Sequence, residues 1–557
     1  MDFGLYNVAW PVGAAGRLYI IHTEILEELM PDMKPLGAQI SHMLKDRGVD
    51  AIFGIPGVHN QEMYRGIEEA GIRHILARHE QGAGFMADGY ARASGKPGVA
   101  YVITGPGLCN IMTAMGQAYS DSVSMLVLSS CLDETAARRG QLHQMLDQEG
   151  AAGTVCDWSY QANNAEAAYD LIDRAMLEFE SQRPRSKHIQ VPIAQLEGPA
   201  ALAPRRPAGL ALGSGACCVD LRPLSAALSA ASKPLFIIGG GAEKAGVDLA
   251  SVLQACGAAC FETYAGRGIV PWDYPLNFGS ALARPSSAQI VAEADCVVAI
   301  GTELAEVDLW RAHLGHSCPL YRIDIDPDCL ADMQRAEMAI LARAEEAMAN
   351  LRPLMAPSPS QWQARSVAHQ RGLWRRETEA ERPGIIAIVE ALHAVVPDDV
   401  MIYSDMTQFA YVANEIWPMT RAKHWHHPSG FGTLGYALPA AIGGAVARPG
   451  KPTLAIAGDY GFQYSVQELG TAVELGQPLP IILWDNGKLK EIEDSMRSAQ
   501  IAPNAVIAKN PNFLELARAY GADASAPNTL SQMQEAVTAA FGAERPKLIY
   551  LSPNIVS

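Results

Sequence analysis

The sequence comprises 557 residues, of which 49% are hydrophobic, and it carries a formal net charge of −17 at pH 7. This length allows several hydrophobic cores and indicates roughly three or four domains. An acidic chain repels nucleic acids and anionic membrane surfaces, so neither class of partner is expected.

The N-terminal segment, residues 1–33, has no basic start before its apolar stretch and is therefore a poor signal peptide. We treat it as an N-terminal extension. No apolar run in the sequence approaches the roughly 18 residues that a membrane-spanning helix needs. The ten cysteines include no CxxC pair and are scattered along a large chain, which is typical of a reduced, cytoplasmic protein.

Short, near-continuous apolar runs recur along the chain and alternate with alanine-rich segments of helical spacing. In chain order these runs are VDAIFGIPG, GVAYVITGPG, SMLVLSS, KHIQVPI, KPLFIIGGG, DCVVAIGT, LYRIDID, DVMIYSD, KPTLAIAGD, LPIILWDN and PKLIYLS. The alternation predicts an α/β fold with doubly wound parallel sheets that helices cover on both faces.

Two proline-containing stretches, EGPAALAPRRPAG and APSPSQWQARS, divide the chain into three parts. The predicted domains are residues 34–200, 213–352 and 375–557. Ligands of open parallel sheets bind beyond the carboxyl ends of the strands. The first and third domains carry polar residues at those ends, so the chemistry is expected there.

Two oxygen-bearing side chains follow successive predicted strands of the third domain, Asp459 after the first strand and Asn486 after the second. One strand–helix–strand unit fits the interval and returns the chain to a neighbouring strand end. Oxygen ligands suit Mg²⁺ or Ca²⁺, and Gly458 and Gly461 leave backbone N–H groups free to approach a phosphate. The alternative is that Asp459 caps a helix and Asn486 ends a strand.

The stretch GDYGFQYSVQELGTAVELGQPLPIILWDNG resembles the thiamine diphosphate motif, which begins Gly-Asp-Gly and ends about thirty residues later in Asn-Asn. The resemblance implies that Asp459, Asn486 and the backbone carbonyl of Lys488 bind Mg²⁺. Tyr460 replaces the glycine at the third position of the motif, where it adds bulk beside the diphosphate. Asp485 replaces the first asparagine, which is not a ligand in the family.

A thiamine diphosphate enzyme needs a carboxyl group that faces the aminopyrimidine ring of the cofactor. Hydrogen bonding to the ring nitrogen favours the imino form, which removes the proton from the thiazolium carbon. The stretch ILARHEQGAGFMADGYARASGKPG resembles the glutamate motif of the family and offers Glu80 after a predicted strand. The alternative is a helix-start carboxylate that stabilises the helix by about 0.3–1 kcal/mol. Two matched motifs in the family's order favour the catalytic role.

The same resemblance implies further cofactor contacts. Those in the first domain lie in FGIPG and GPGLCN and are Pro56, Gly57 and Asn110. Those in the third domain lie in SDMTQFAY, SGFGTLGYALPAAIGGA and the diphosphate motif, and they are Asp405, Thr407, Gln408, Gly432, Leu434, Gly458, Tyr460, Gly461 and Leu489. Leu434 would hold the cofactor in its bent shape, although core packing is the ordinary role of a leucine.

Four polar residues are candidates for the chemistry beside Glu80. Gln117, His143 and Gln144 match polar positions at the mouth of the active site in the family. His427, in KHWHHPSGFG, is the candidate for proton transfer. A single histidine is more often structural, so each of these roles is an expectation from the resemblance.

The resemblance runs from near residue 34 to the end of the chain, and it is to the acetolactate synthase-like group of thiamine diphosphate enzymes. Within the group, GTELAEVDLWR, SDMTQFAY and HPSGFGTLGYALPA are most similar to 5-guanidino-2-oxopentanoate decarboxylases. Such an enzyme decarboxylates a 2-oxo acid through an enamine, which is then protonated or added to a second carbonyl. A guanidinium tail would require a carboxylate, for which the candidates are Glu491, Asp494, Asp147 and Glu149.

Two other functions stay open at this point. One is acetolactate synthase proper, which would bind flavin; IIGGGAEKAG lacks the full GxGxxG spacing, so FAD is not expected. The other is an inactive homologue that binds the cofactor without catalysis, which only Tyr460 and Asp485 favour. The family further implies a homodimer or homotetramer with active sites between subunits.

Overall fold

The computed structural model describes residues 33–133, 139–205, 219–507 and 509–555. Nearly all of the expected N-terminal extension therefore lies outside the described residues. The described strands form three parallel sheets and one short antiparallel pair. This arrangement confirms the predicted α/β class with three parallel-sheet units.

The first sheet has six parallel strands in the order β3-β2-β4-β5-β7-β6. Its strands are β2 (Ala51–Gly54), β3 (Arg73–Leu76), β4 (Gly98–Val102), β5 (Met125–Cys131), β6 (Ser159–Gln161) and β7 (Lys187–Pro192). The helices of this unit are α1 (Leu36–Asp46), α2 (Gln61–Glu69), α3 (Glu80–Ser94), α4 (Pro106–Ser120), α5 (Gln148–Gly153), α6 (Ala165–Ser181) and α7 (Ile193–Glu197). An antiparallel pair joins β1 (Lys34–Pro35) to β8 (Pro199–Ala200).

The middle sheet has five parallel strands in the order β10-β9-β11-β12-β13. They are β9 (Pro234–Ile238), β10 (Ala259–Glu262), β11 (Cys296–Ile300), β12 (Leu320–Asp324) and β13 (Met338–Leu341). The helices are α8 (Arg222–Ala230), α9 (Gly246–Cys256), α10 (Ser287–Glu293), α11 (Glu306–Leu309), α12 (Pro327–Leu330) and α13 (Ala344–Leu351), with 3₁₀ turns at Gly240–Ala245 and Arg352–Leu354. Helix α14 (Ala364–Glu381) then leads towards the third sheet.

The third sheet has six parallel strands in the order β15-β14-β16-β17-β19-β18. They are β14 (Met401–Ser404), β15 (Trp425–His426), β16 (Thr453–Gly458), β17 (Leu479–Trp484), β18 (Asp523–Ser525) and β19 (Pro546–Leu551). The helices are α15 (Ile385–His393), α16 (Gln408–Ile416), α17 (Ala437–Ala447), α18 (Asp459–Ser465), α19 (Glu468–Leu475), α20 (Lys490–Ser498), α21 (Phe513–Ala519) and α22 (Leu530–Phe541).

The apolar strands are buried on both faces, as their near-continuous hydrophobic character predicts. In β5, Met125 and Val127 belong to one core, while Leu126 and Leu128 belong to another on the opposite face. The core that contains Met125 also includes residues of the third sheet, so the first and third units share apolar packing. Among the described residues, no helix combines the length and the apolar character needed to cross a membrane.

Helices α3 and α17 pack together and join the first and third units. A Cβ atom at Gly89 of α3 would overlap the carbonyl oxygen of Ala440, and one at Gly443 of α17 would overlap that of Met86. The two backbones therefore touch, which only glycine permits at these positions. The hydroxyl of Tyr403 also donates to the carbonyl oxygen of Gly89, at 2.9 Å. This crossing sets the relative position of the two units that carry the predicted site residues.

Candidate active site

Three acidic residues follow neighbouring strands at the carboxyl edge of the third sheet. Asp405, Asp459 and Asp485 each follow the last residue of one of the neighbouring strands β14, β16 and β17. The register aligns Gly458 with Trp484, so the residues that follow them, Asp459 and Asp485, leave the sheet together. This edge is where ligands of parallel sheets bind.

Asp459 is buried and shares a hydrogen-bond donor with Asp485. The amide Nδ2 of Asn510 donates to Oδ2 of Asp459 at 2.7 Å and to Oδ1 of Asp485 at 2.9 Å. Burial raises the pKa of Asp459 to about 6; the hydrogen bond from Asn510 opposes this shift and the charge of Asp485 adds to it. A buried carboxylate beside another carboxylate is an environment that a divalent cation stabilises.

Asp485 has further partners of its own. Besides Asn510, it accepts hydrogen bonds from the backbone N–H of Gly487 at 2.8 Å and from the hydroxyl of Tyr550 at 3.0 Å. These contacts tie the end of β17 to β19 and to the loop before α21. Asp485 therefore holds the edge of the site together, a role that the comparison of motifs did not predict.

Asn486 lies beside this pair and faces helix α16. Its Nδ2 donates to Oε1 of Gln408 at 3.0 Å, and its Oδ1 accepts from the backbone N–H of Lys488 at 3.2 Å. The backbone N–H of Leu489 donates to the carbonyl oxygen of Val506 at 2.8 Å, which fixes the loop before α20. Asp459 and Asn486 thus place a carboxylate and an amide oxygen after neighbouring strands, and both are oxygen donors of the kind that suits Mg²⁺.

Among the residues that the structure describes, no three or more His, Cys, Asp or Glu side chains are grouped to hold a metal ion. That finding does not bear on a site of one carboxylate, one amide and one backbone carbonyl, because amide and backbone oxygens are not among those four side-chain types. The stretch KHWHHPSGFG is not wholly a loop, because Trp425 and His426 form strand β15.

The turn between β16 and α18 packs tightly against the end of β14. Gly458 ends β16, and a Cβ atom there would lie 3.2 Å from the side chain of Thr407. A Cβ atom at Gly461 would lie 2.6 Å from Oδ2 of Asp405, so a larger residue would displace that carboxylate. Tyr460, between the two glycines, is larger than the glycine of the motif, and its side chain is partly exposed.

The loop before α17 is anchored to Asp405. The backbone N–H of Gly435 donates to Oδ2 of Asp405 at 2.9 Å, and burial raises the pKa of that carboxyl to about 6. Gly432 has a φ of +66°, which glycine adopts readily, and Leu434 is partly buried. The N–H of Gly430 in the same loop donates to Oδ1 of Asp121 in the first unit, at 2.8 Å.

Glu80 is the first residue of α3 and is buried, with 9% of its surface exposed. Its Oε2 accepts a hydrogen bond from Nδ2 of Asn110 on α4 at 2.8 Å. A Cβ atom at Gly107 would lie 3.5 Å from Oε1 of Glu80, so the β4–α4 turn covers the carboxyl group. The structure thus brings together two predicted residues that are 30 positions apart.

Gly57 and His143 lie against the residues that precede α4, whereas Gln117 lies near the C-terminal end of that helix. Gly57, after Pro56, donates its N–H to Oδ1 of Asn60 at 2.8 Å. Gln117 donates to Oδ2 of Asp121 at 2.7 Å, and its buried Oε1 has no hydrogen-bond partner among the described residues. His143 has a φ of +62°, with its ring 4.9 Å from that of His59. The N–H of Gln144 donates to the carbonyl oxygen of Gln141 at 3.2 Å.

His427 lies at the start of the loop before α17. It is buried, and its Nδ1 is 2.9 Å from the hydroxyl oxygen of Ser404 at the end of β14. Burial lowers the pKa of this imidazole to about 3. His427 is therefore neutral at physiological pH and is a weak base, so it is suited to hydrogen bonding and not to taking up a proton.

Among the predicted residues, the structure joins Glu80 to Asn110 in one cluster and Asn486 to Gln408 in a second, whereas Gln117 contacts Asp121 near the far end of α4. Within the described residues, no hydrogen bond joins Glu80 to the second cluster. Sequence reasoning missed Asn510, which lies in the irregular stretch AKNPNF and follows no strand. It also missed Arg382, whose side chain reaches α20 from the end of α14.

Three family models match the chain, and all describe thiamine pyrophosphate enzymes. They are the N-terminal TPP binding domain at residues 35–151, the central domain at residues 221–351 and the C-terminal TPP binding domain at residues 405–551. The chain belongs to this family, and the protein is a thiamine diphosphate-dependent enzyme. The buried carboxylate of Glu80 and the oxygen donors beyond β16 and β17 fit such a cofactor.

Curated relatives extend this similarity to almost the whole chain. The chain is 42% identical over 528 residues to a probable 2-ketoarginine decarboxylase of Pseudomonas aeruginosa, covering 92% of this chain and 93% of the relative. It is 27% identical over 528 residues to the large subunit of acetolactate synthase isozyme 1 of Escherichia coli, covering 92% of each. The large subunit of isozyme 3 is 28% identical over 503 residues, with 86% and 87% covered.

Proposed function

We propose that this protein catalyses the thiamine diphosphate- and Mg²⁺-dependent decarboxylation of a 2-oxo acid, with 5-guanidino-2-oxopentanoate (2-ketoarginine) as its substrate. The observation that carries the proposal is the buried Glu80 carboxyl, held by Asn110, in a chain that is 42% identical to a probable 2-ketoarginine decarboxylase. When bound, the cofactor supplies the electron sink for the carbanion left after CO₂ departs.

In this proposal the residues of the chain bind, orient and move protons. Asp459, the amide oxygen of Asn486 and the carbonyl of Lys488 would hold Mg²⁺ and through it the diphosphate. Oε2 of Glu80 accepts from Asn110, which leaves Oε1 for the pyrimidine ring. His427, neutral because it is buried, would orient the reacting group by a hydrogen bond.

The position of the remaining carboxylates supports a guanidinium-bearing substrate. Glu491 is bound by Arg382, Asp494 by Lys490, and Asp147 caps α5 through the N–H of Gly150. Glu149 has no hydrogen bond or ion pair with any described residue. It lines a cavity of about 490 Å³ that Asp133 and Asp147 also line, together with the apolar side chains of Leu132, Met145 and Leu146.

This cavity adjoins the turn that covers Glu80. Thr104, which lines the cavity, lies in the middle of the three-residue β4–α4 connection. The N–H of Gly105 donates to Oε1 of Gln148, another lining residue, at 2.9 Å. Gly107, two residues further on, lies against Glu80. A substrate with its 2-oxo acid end near Glu80 could therefore extend an apolar chain and a cationic end into the cavity.

The proposal is tested by measuring CO₂ release from purified enzyme with thiamine diphosphate and Mg²⁺ on a panel of 2-oxo acids. The panel contains 5-guanidino-2-oxopentanoate, 2-oxohexanoate and pyruvate. We expect the highest kcat/KM for the guanidino acid, with an aldehyde as the product. Pyruvate as the best substrate with acetolactate as the product would instead favour acetolactate synthase, and no release from any acid would favour an inactive homologue.

Glu149→Gln is expected to lower kcat/KM for the guanidino acid by about 10- to 100-fold, because a charge-assisted hydrogen bond is lost. The same variant should turn over 2-oxohexanoate as the wild type does. Glu166→Gln, which removes an exposed carboxylate on α6, is the matched control. An equal loss of kcat/KM for both substrates would mean that Glu149 supports the fold of the cavity and does not bind the guanidinium group.

We further propose that the enzyme is a homodimer or homotetramer whose sites lie between subunits, as expected from the family. Mixing Glu80→Gln and Asp459→Ala proteins under conditions of subunit exchange should then restore activity, because hybrid dimers contain one intact site and one doubly damaged site. The measurement is CO₂ release before and after exchange, with exchange followed by fluorescence energy transfer between labelled subunits. No recovery despite full exchange would place each site within one chain.

A further inference from the structure

A continuous chain of side-chain hydrogen bonds connects Arg382, after α14, to Asn486. Arg382 binds Glu491 of α20 with two contacts, Nη2 to Oε2 at 2.9 Å and Nε to Oε1 at 3.2 Å. Nε2 of Gln408 donates to Oε1 of Glu491 at 3.0 Å. Oε1 of Gln408 in turn accepts from Nδ2 of Asn486 at 3.0 Å.

The carboxylate determines the direction of every hydrogen bond in this chain. An ionised carboxylate only accepts, whereas the two ends of a Gln or Asn amide differ, one donating and one accepting. Glu491 therefore requires the NH₂ end of Gln408, and the oxygen of Gln408 is turned towards Asn486. That oxygen requires the NH₂ end of Asn486, so the oxygen of the Asn486 amide points away from Gln408.

Two further contacts agree with this direction. The backbone N–H of Lys488 donates to Oδ1 of Asn486 at 3.2 Å, which is the hydrogen bond expected if the amide oxygen points away from Gln408. Arg382 makes a bidentate contact with Glu491, and its guanidinium group lies 5.7 Å from the centre of the Tyr411 ring. The Arg382 side chain is only 18% exposed, so the pair is partly shielded from solvent.

We propose that Glu491 is a positioning residue for the metal site. Through Gln408 it fixes the amide of Asn486 so that the oxygen, and not the NH₂ group, faces the cation. The inference rests on the proposed function in one respect, namely that Asn486 binds Mg²⁺. It explains why a charged pair from α14 and α20 is built against the loop that carries Asn486.

The experiment is a calorimetric titration of Mg²⁺ into protein that contains excess thiamine diphosphate. Glu491→Gln keeps the shape of the side chain but adds an NH₂ group that can donate a hydrogen bond. The side-chain amides of Gln408 and Asn486 can then both rotate by about 180°, which exchanges their oxygen and NH₂ positions. We expect the apparent Kd for Mg²⁺ to rise by about 10- to 100-fold, the range for partners that orient metal ligands. Glu491→Asp, which still only accepts, should bind Mg²⁺ more tightly than Glu491→Gln. Asp494→Asn, on the same helix and paired with Lys490, should bind as the wild type does.

The outcomes separate this inference from the proposed function. If the wild type binds no Mg²⁺ with the cofactor, the proposed metal site is wrong. If the wild type binds and Glu491→Gln has the same Kd, the positioning role is wrong and the metal site stands. An equal rise for Glu491→Gln and Glu491→Asp would also overturn it, because the direction of the hydrogen bonds would not matter.

Removal of the Glu491 charge leaves Arg382 without its partner, which can lower stability. The double variant Arg382→Gln with Glu491→Gln removes both charges and is measured in parallel. It must show the same rise in Kd as Glu491→Gln, and thermal unfolding of each cofactor-free protein reports whether it is folded. A folded double variant with the wild-type Kd would contradict the proposal.

Discussion

Replacement of Glu80 by glutamine is expected to lower kcat by about 10²–10⁴, the contribution of a positioned proton-transfer group. The carboxyl is buried at the start of α3 and is held by Asn110, so glutamine would occupy the same space. It would, however, favour the imino form of the pyrimidine less than a carboxyl group does. The measurement is single-turnover CO₂ release under saturating thiamine diphosphate and Mg²⁺.

A second readout separates catalysis from binding in this variant. Titration calorimetry should give a Kd for thiamine diphosphate close to that of the wild type, because the diphosphate end is untouched. Glu69→Gln removes an exposed carboxylate of the same unit, paired with Lys34, and should leave kcat unchanged. Near-normal turnover by Glu80→Gln with the cofactor bound would show that Glu80 is only a helix-start carboxylate.

Replacement of Asp459 by alanine is expected to abolish Mg²⁺-dependent binding of thiamine diphosphate while the protein stays folded. Asp459 is the first residue of α18 and Gly458 precedes it as the cap, so loss of the carboxylate removes no capping side chain. Its buried oxygen lies beside Asp485, which follows the neighbouring strand, and both accept hydrogen bonds from Asn510. Loss of this ligand leaves the cation with too few protein oxygens to bridge the diphosphate.

The result is checked by titrating the cofactor into protein with and without Mg²⁺. The wild type should lose affinity when EDTA removes the metal, and Asp459→Ala should have the same weak affinity in both conditions. Asp523→Asn, an exposed carboxylate on β18 of the same sheet, is the control. If the affinity of Asp459→Ala for the cofactor equals that of the wild type, Asp459 is only part of a helix start.

Much of the fold follows from local sequence pattern. Each predicted apolar run corresponds to a strand, and in the third unit β14, β16 and β17 are each followed by an aspartate. The family and the enzyme class that the two motifs implied are confirmed by the matched models and relatives. Strand order, in contrast, depends on which strands pair in space, so the place of β15 at the edge beside β14 could not be predicted.

The candidate site likewise has features that the sequence predicts and features that it does not. Asp459 and Asn486 could be proposed from the sequence because a strand–helix–strand unit returns the chain to an adjacent strand end. The bridge from Asn510 to Asp459 and Asp485 could not, because it depends on how an irregular loop closes over the sheet. The metal and cofactor roles of these residues remain proposals that the titrations above test.

The sequence by itself determined the class of fold, the two motifs and the strand ends at which the proposed oxygen ligands stand, because each depends on residues close together in the chain. Only the tertiary structure decided the surroundings of those ligands. Burial of Glu80 under the β4–α4 turn needs two helices from different parts of the first unit. The direction of the Asn486 amide needs Arg382, Gln408 and Glu491 to meet, and their contacts span up to 109 positions of the chain. Such contacts form only when the packed elements bring distant side chains within hydrogen-bonding distance.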